Sequence, residues 1–237
     1  MPQSYDETID GRVPRGFGGR FYGVYTALVV DVEDPEGQGR VRVELPWSPD
    51  AEDENYEVWA RLATMMGGPD KGSWFIPDVD DEVLVTFEGG NPERPYVVGG
   101  LWNGRDDPPE QMDAGGANDK KVLCSRNGVK ITMDDSDGQE MLELETPGGR
   151  TVTLQDGEGV IEASDPAGNT VRLESGGVKV VSSSQVTIDG GAQVTVNAGQ
   201  LTVNAGSTTF SGVVNAPTIS VGTVIASSYT PGAGNIW

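Results

Sequence analysis

The sequence predicts an all-β protein in two parts: a small closed five-stranded barrel, then a needle of strands contributed by three intertwined chains. Three observations predict it. The last 110 residues or so carry short apolar-polar alternations and turn residues, with no helical periodicity. Composition shifts sharply near residue 105, because every Trp but Trp237 and four of the five Phe precede it, while Gly, Val, Thr, Ser and Asn dominate afterwards. Finally, the rungs Val186-Thr187-Ile188, Val194-Thr195-Val196 and Leu201-Thr202-Val203 follow one another at steps of eight and seven residues. Each step leaves room for one strand and one turn.

Residues 1–20 form a polar, Gly-rich arm in which Arg12, Arg15 and Arg20 make a basic spot on an acidic chain. Such an arm is suited to ordering on a partner with an acidic surface. Residues 21–104 read as strand after strand: Tyr25 to Val32, Arg40 to Leu45, Val58 to Ala63, Glu82 to Phe87 and Tyr96 to Leu101. The breaks hold Asp34-Pro35-Glu36-Gly37, Pro46 to Glu54, Gly67-Gly68-Pro69, Pro77-Asp78 and Gly89 to Pro95. Five strands with turn-rich connections fit a closed barrel, of which the OB-fold is the commonest kind. Trp47, Trp59, Phe75 and Phe87, which could otherwise stack on bases, read here as barrel core.

Residues 105–127 read as a linker, with Pro108-Pro109 and Gly115-Gly116 inside it. From residue 128 to 226 the chain repeats. Gly149-Arg150-Thr151-Val152-Thr153-Leu154 matches Gly168-Asn169-Thr170-Val171-Arg172-Leu173 at a spacing of 19, and Gly128 to Met133 is a looser copy. Each copy is followed by a second strand, at Met141 to Leu144, Val160 to Ala163 and Val178 to Val181. The repeat then tightens to the single-strand rungs. A single-chain solenoid needs roughly 20 residues per coil to supply every face. A unit of seven or eight supplies one face, and the simplest way to bury its apolar residues is for three chains to wind together. Val186, Ile188, Val194, Val196, Leu201 and Val203 then line the needle core and the threonines face water. Residues 227–237 break the ladder at Pro231, Gly232 and Gly234, and Tyr229, Ile236 and Trp237 supply the bulk for a tip.

Composition narrows the chemistry. The net charge of −21 opposes nucleic-acid binding, which needs clustered Lys and Arg. The single Cys124 excludes an intrachain disulfide and reads as a small residue at a strand start. With no histidine anywhere, Ser-His-Asp, Cys-His and His-Glu-x-x-His sites cannot be built. The loop Asp134-Asp135-Ser136-Asp137-Gly138 resembles a calcium loop, but its first and twelfth positions would be Met133 and Leu144, so it reads as a solvated turn. No catalytic residue, cofactor or metal is expected. The amino-terminal residues lack the basic and apolar regions of a signal peptide, and no stretch nears the roughly 20 apolar residues of a membrane span, so cytoplasmic assembly is expected.

Four blocks in order carry a resemblance. They are Phe21 to Tyr25 with Val30 to Val43; Gly72-Ser73-Trp74-Phe75-Ile76-Pro77 with Asp81 to Val85; Gly89 to Pro95 with Val98-Gly99; and Leu101-Trp102-Asn103-Gly104. Over about 85 residues they resemble phage baseplate assembly protein V and the related spikes of type VI secretion. The end, from Ser228 to Trp237, is similar to the tail of those spikes, and Asp80 departs from the family's usual Gly. The resemblance implies the central spike of a contractile injection machine, in a phage tail or a phage-derived particle. Its partners would be two further copies of itself, a baseplate hub above the barrel, and the target membrane on ejection. Whether a separate PAAR-type tip protein caps the needle stays open. Only about 20 residues precede the barrel, which resembles the stand-alone phage form. The rival reading is a polysaccharide-degrading β-helical tail protein working through paired carboxylates.

Overall fold

The computed structural model describes residues 19–49 and 55–228. The chain divides into a unit ending at Ser184 and a second beginning at Gln185. The first unit opens with β1 (Val24–Asp31), β2 (Val41–Pro49) and β3 (Asn55–Leu62). The short hairpin β4 (Gly67–Gly68) and β5 (Lys71–Gly72) follows, then β6 (Glu82–Phe87) and β7 (Pro95–Gly100). Five of these close a barrel in the order β1-β2-β3-β7-β6, with β6 pairing back onto β1 and only β3–β7 parallel. Alternation decides what goes inside. Ala27 and Val29 from β1, Val41, Val43 and Leu45 from β2, and Val83, Val85 and Phe87 from β6 are all buried. Phe21 plugs one end, set edge-on to Phe87 and Trp47 with ring centroids 4.7 and 5.5 Å away.

The aromatic residues divide between inside and outside. Trp47 packs against the core and its indole N–H donates to the Thr26 carbonyl at 2.8 Å, and Phe87 is buried. Trp59 instead lies on the outer wall, with the Arg40 and Arg42 guanidiniums 5.7 and 5.9 Å from its ring. Phe75 is 70% exposed, against the expectation that it is core, because it follows β5 and belongs to no barrel strand.

After the barrel, β8 (Lys120–Cys124) begins a seven-stranded antiparallel meander with β9 (Lys130–Asp134), β10 (Met141–Glu145), β11 (Thr151–Gln155), β12 (Val160–Ser164), β13 (Thr170–Glu174) and β14 (Gly177–Val181). Strand β8 thus falls within the stretch read as a linker. Cys124 ends that strand rather than starting one, and it is exposed on the single chain.

The 19-residue repeat is a repeat of turns as much as strands. Thr146 and Asp165 each open a loop in which the residue three positions on donates back to their carbonyl and they in turn donate to the residue four positions on. Gly149 and Gly168 take the left-handed conformation that closes this turn, at φ 70° and 83°. Asp134 accepts the Ser136 amide at 2.9 Å and its hydroxyl, so the acidic loop is a self-bonded turn.

In the second unit no strand forms among the described residues from Gln185 to Ser228, and the side chains there are exposed. The Gln185 and Gln200 amides donate to the Thr187 and Thr202 hydroxyls, at 3.2 and 3.4 Å. Each pair lies two residues apart, on one side of an extended segment. Val186, Ile188, Leu201 and Val203 are left to the other side.

Candidate trimer interface

The seven-stranded sheet has one apolar face, and nothing among the described residues covers it. Its register aligns two cross-strand columns. One runs Met133, Leu142, Leu154, Ile161, Leu173 and Val178. The other runs Leu123, Ile131, Leu144, Val152, Ala163, Val171 and Val180. The large apolar members are between 37% and 70% exposed, whereas the barrel core is at most 6% exposed. Covering a half-exposed Leu, Ile or Val contributes on the order of 1 kcal/mol, so a dozen such residues per chain outweigh the screened repulsion of an acidic surface.

The opposite face carries a polar column. Thr132, Glu143, Thr153, Glu162, Arg172 and Lys179 align across it. Arg172 donates to Glu174 at 2.8 Å, Glu162 at 3.0 Å and Glu158 at 3.1 Å, and these carboxylates, Glu162 first, push its already high pKa further up. The linker also lies on this side, where Glu110 reaches Lys130 at 3.4 Å. The Gln111 amide, which donates to it at 3.2 Å, and then Lys130 hold the Glu110 carboxyl below its ordinary range. Four carboxylates on this side are therefore tied to cations, Glu158, Glu162 and Glu174 to Arg172 and Glu110 to Lys130. Among the described residues no group of three or more His, Cys, Asp or Glu is placed to hold a metal ion, and no helix is long and apolar enough to cross a membrane.

The residues singled out from the sequence are distributed as follows. Val186, Ile188, Val194, Val196, Leu201 and Val203 are 56% to 75% exposed and lie in no strand of their own chain. Arg20 donates to the Gly89 carbonyl at 3.2 Å, at the mouth of the β6–β7 connection. Arg12, Arg15, Tyr229, Ile236 and Trp237 lie outside the described residues. Sequence reasoning named the rungs after residue 185 but not the two columns before it. Their signal was present in Ile131/Met133, Leu142/Leu144, Val152/Leu154 and Val171/Leu173, each an alternating pair within one strand.

A closed barrel leading into a sheet with one bare apolar face defines a subunit of a multichain assembly. Residues 25–102 match the family described as the type VI secretion system/phage-baseplate injector OB domain, and residues 120–209 match the phage baseplate V C-terminal trimerisation domain. Together these cover more than two thirds of the sequence, and the chain belongs to the phage baseplate V family. The trimerisation match takes in both columns and all six rung residues.

Curated relatives agree. The type VI secretion system spike protein VgrG1b of Pseudomonas aeruginosa is 29% identical over 147 residues, 56% of this chain and 19% of that protein. VgrG1a of the same organism is 32% identical over 134 residues, 51% of this chain and 20% of the relative. The actin cross-linking toxin VgrG1 of Vibrio cholerae is 29% identical over 90 residues, 35% of this chain and 8% of the toxin. The chain spans about a fifth or less of the length of these relatives.

Proposed function

We propose that this protein is the non-enzymatic central spike of a contractile injection machine, and that it works as a homotrimer. The carrying observation is the unpartnered apolar face of β8–β14, which lies within a trimerisation-domain match. Three such faces turned toward a common axis bury both columns and leave the Arg172 wall in water. Beyond Ser184 the rungs continue the same logic with a shorter unit. Val186, Ile188, Val194, Val196, Leu201 and Val203 turn inward, and each backbone finds its hydrogen-bond partners in the other two chains. The absence of a within-chain ladder among the described residues there is what a one-face unit requires.

Assembly of this kind makes a stiff rod, and stiffness is the mechanical need of a device that is driven through an envelope when a sheath contracts. The barrel end then docks under a hub, with Arg12, Arg15 and Arg20 meeting an acidic hub surface. At the other end Tyr229, Ile236 and Trp237 close the bore, with or without a separate PAAR-type protein on top, and this end meets the target membrane. Cytoplasmic assembly precedes incorporation into the tail or injection particle.

Deleting residues 1–20 and measuring co-purification with the hub tests the docking. The trimer is expected to persist and hub binding to be lost. Retained binding would place the hub contact wholly on the barrel.

A further inference from the structure

The barrel carries a second bare apolar surface, on the arm formed by β4, β5 and the residues flanking them. The arm is well fixed at its base. The Thr64 hydroxyl bonds to the Ser73 carbonyl at 2.7 Å, and the Ser73 amide donates to the Met66 carbonyl at 2.9 Å. Yet its large side chains are uncovered: Met65 is 90% exposed, Trp74 75% and Phe75 70%. A rigid element that holds aromatic and methionine side chains in water is the signature of a contact surface.

Two observations say what covers it. The first is continuity with the trimer interface. Three residues beyond Phe75, the Asp78 carboxylate is held by Arg126 at 2.6 Å. Arg126 sits in the β8–β9 turn, between the exposed Leu123 of the apolar column and the exposed Val129. The ion pair, between exposed side chains, joins the root of the arm to the β8–β9 turn, within the stretch that matches the trimerisation domain. The second is charge. Residues 62–76 contain only Asp70 and Lys71 as charged groups and are formally neutral, in a chain of net charge −21. This is a stretch of barrel on which two equally acidic copies can meet without repulsion.

We propose that the β4–β5 arm clasps the neighbouring protomer, with Phe75 and Trp74 as its apolar anchors. The barrels are then interlocked with one another, as well as hung from a shared shaft. Trp74 rests its ring against the backbone at Gly39, where an added Cβ would come within 2.9 Å of it, so its outer face is preset. Phe75 is the residue free to enter the partner. The inference rests on the trimer reading, and the test separates the two.

The full chain carrying the photocrosslinker p-benzoylphenylalanine at position 75 is sized by light scattering, irradiated and run under denaturing conditions. A trimer that yields covalent chain–chain products from position 75 is the expected result. A trimer without such products overturns the clasp and leaves the trimer standing. A monomer without products overturns both. Products only with a co-expressed hub would reassign the arm to hub docking.

Discussion

Asp34 and Arg40 hold the β1–β2 connection shut from opposite ends. The Asp34 carboxylate accepts hydrogen bonds from the amides of Glu36 (3.1 Å), Gln38 (2.7 Å) and Arg40 (3.1 Å), and from the Arg40 side chain at 3.1 and 2.7 Å. With its side chain only 4% exposed, Asp34 organises the whole Asp34-Pro35-Glu36-Gly37-Gln38-Gly39-Arg40 turn. The Arg40 guanidinium beside it, with those amides, holds its carboxyl well below the usual carboxylate range.

This carboxylate should matter to the stability of the barrel. Asp34→Asn removes the charge-assisted bonds and should lower the barrel's melting temperature by several degrees in a thermal scan at neutral pH. The pH profile gives the sign. A depressed folded pKa contributes stability that is complete above the unfolded value of about 4 and is lost as pH falls toward the folded one. The wild type should therefore lose stability below about pH 4 faster than Asp34→Asn does. Parallel profiles would mean that the bonds to Asp34 contribute nothing. Asp165, held low by Asn169 first, adds the same sign in the sheet.

Asp80 is a second position with a definite expectation. It sits at φ 75°, and its amide donates to the Val29 carbonyl at 2.8 Å, so the turn into β6 keeps the left-handed backbone that glycine favours even though the side chain differs. Asp80→Gly should be neutral or stabilising by up to about 1 kcal/mol, whereas Asp80→Val should cost about 1–2 kcal/mol. Denaturant melts of the two variants check the order. If Asp80→Val proves no worse than Asp80→Gly, strain at this turn is not what sets the preference.

The sequence made some of this legible and hid the rest, for physical reasons. Strands β1, β2, β3, β6 and β7 could be read to within a few residues because Val and Leu alternate with polar residues and the breaks are rich in Gly, Pro and Asp. The β4–β5 hairpin could not be read, since Gly67-Gly68 and Lys71-Gly72 carry no alternation at all. Lys120-Lys121-Val122-Leu123-Cys124 hid β8 in the same way. Phe75 misled because an aromatic residue in a strand-rich stretch reads as core, and only the fold shows that the strand has already ended. The bare apolar face of β8–β14 was written in the pattern. That it faces no partner among the described residues of its own chain is a property of topology.

On that face, Leu154→Asp should prevent assembly while Thr153→Asp, on the Arg172 wall, is tolerated. Leu154 pairs with Leu142 and Ile161, so a carboxylate there is desolvated beside its two symmetry mates and costs several kcal/mol. Size-exclusion elution of the two variants reads the difference. Equal effects would mean that the apolar face is not the buried one.

The same contrast extends to the needle. Val194→Asp should lower the melting temperature of the assembly far more than Thr195→Asp, because only the former brings like charges together on the axis. If both lower it equally, the inward assignment of Val186, Ile188, Val194, Val196, Leu201 and Val203 is wrong.

Truncation after Ala226 addresses the tip. Loss of heat stability is expected, as an open end exposes the bore and unpaired backbone groups to water. An equally heat-stable trimer would make Tyr229, Ile236 and Trp237 part of a tail rather than a cap.

The most direct test of the central claim is the mass of the purified protein by light scattering after size exclusion. The account predicts three times the chain mass of 25.0 kDa, held without any ligand or metal. A homogeneous species at 25.0 kDa would contradict it, because a lone chain would then leave the whole apolar face of β8–β14 in water.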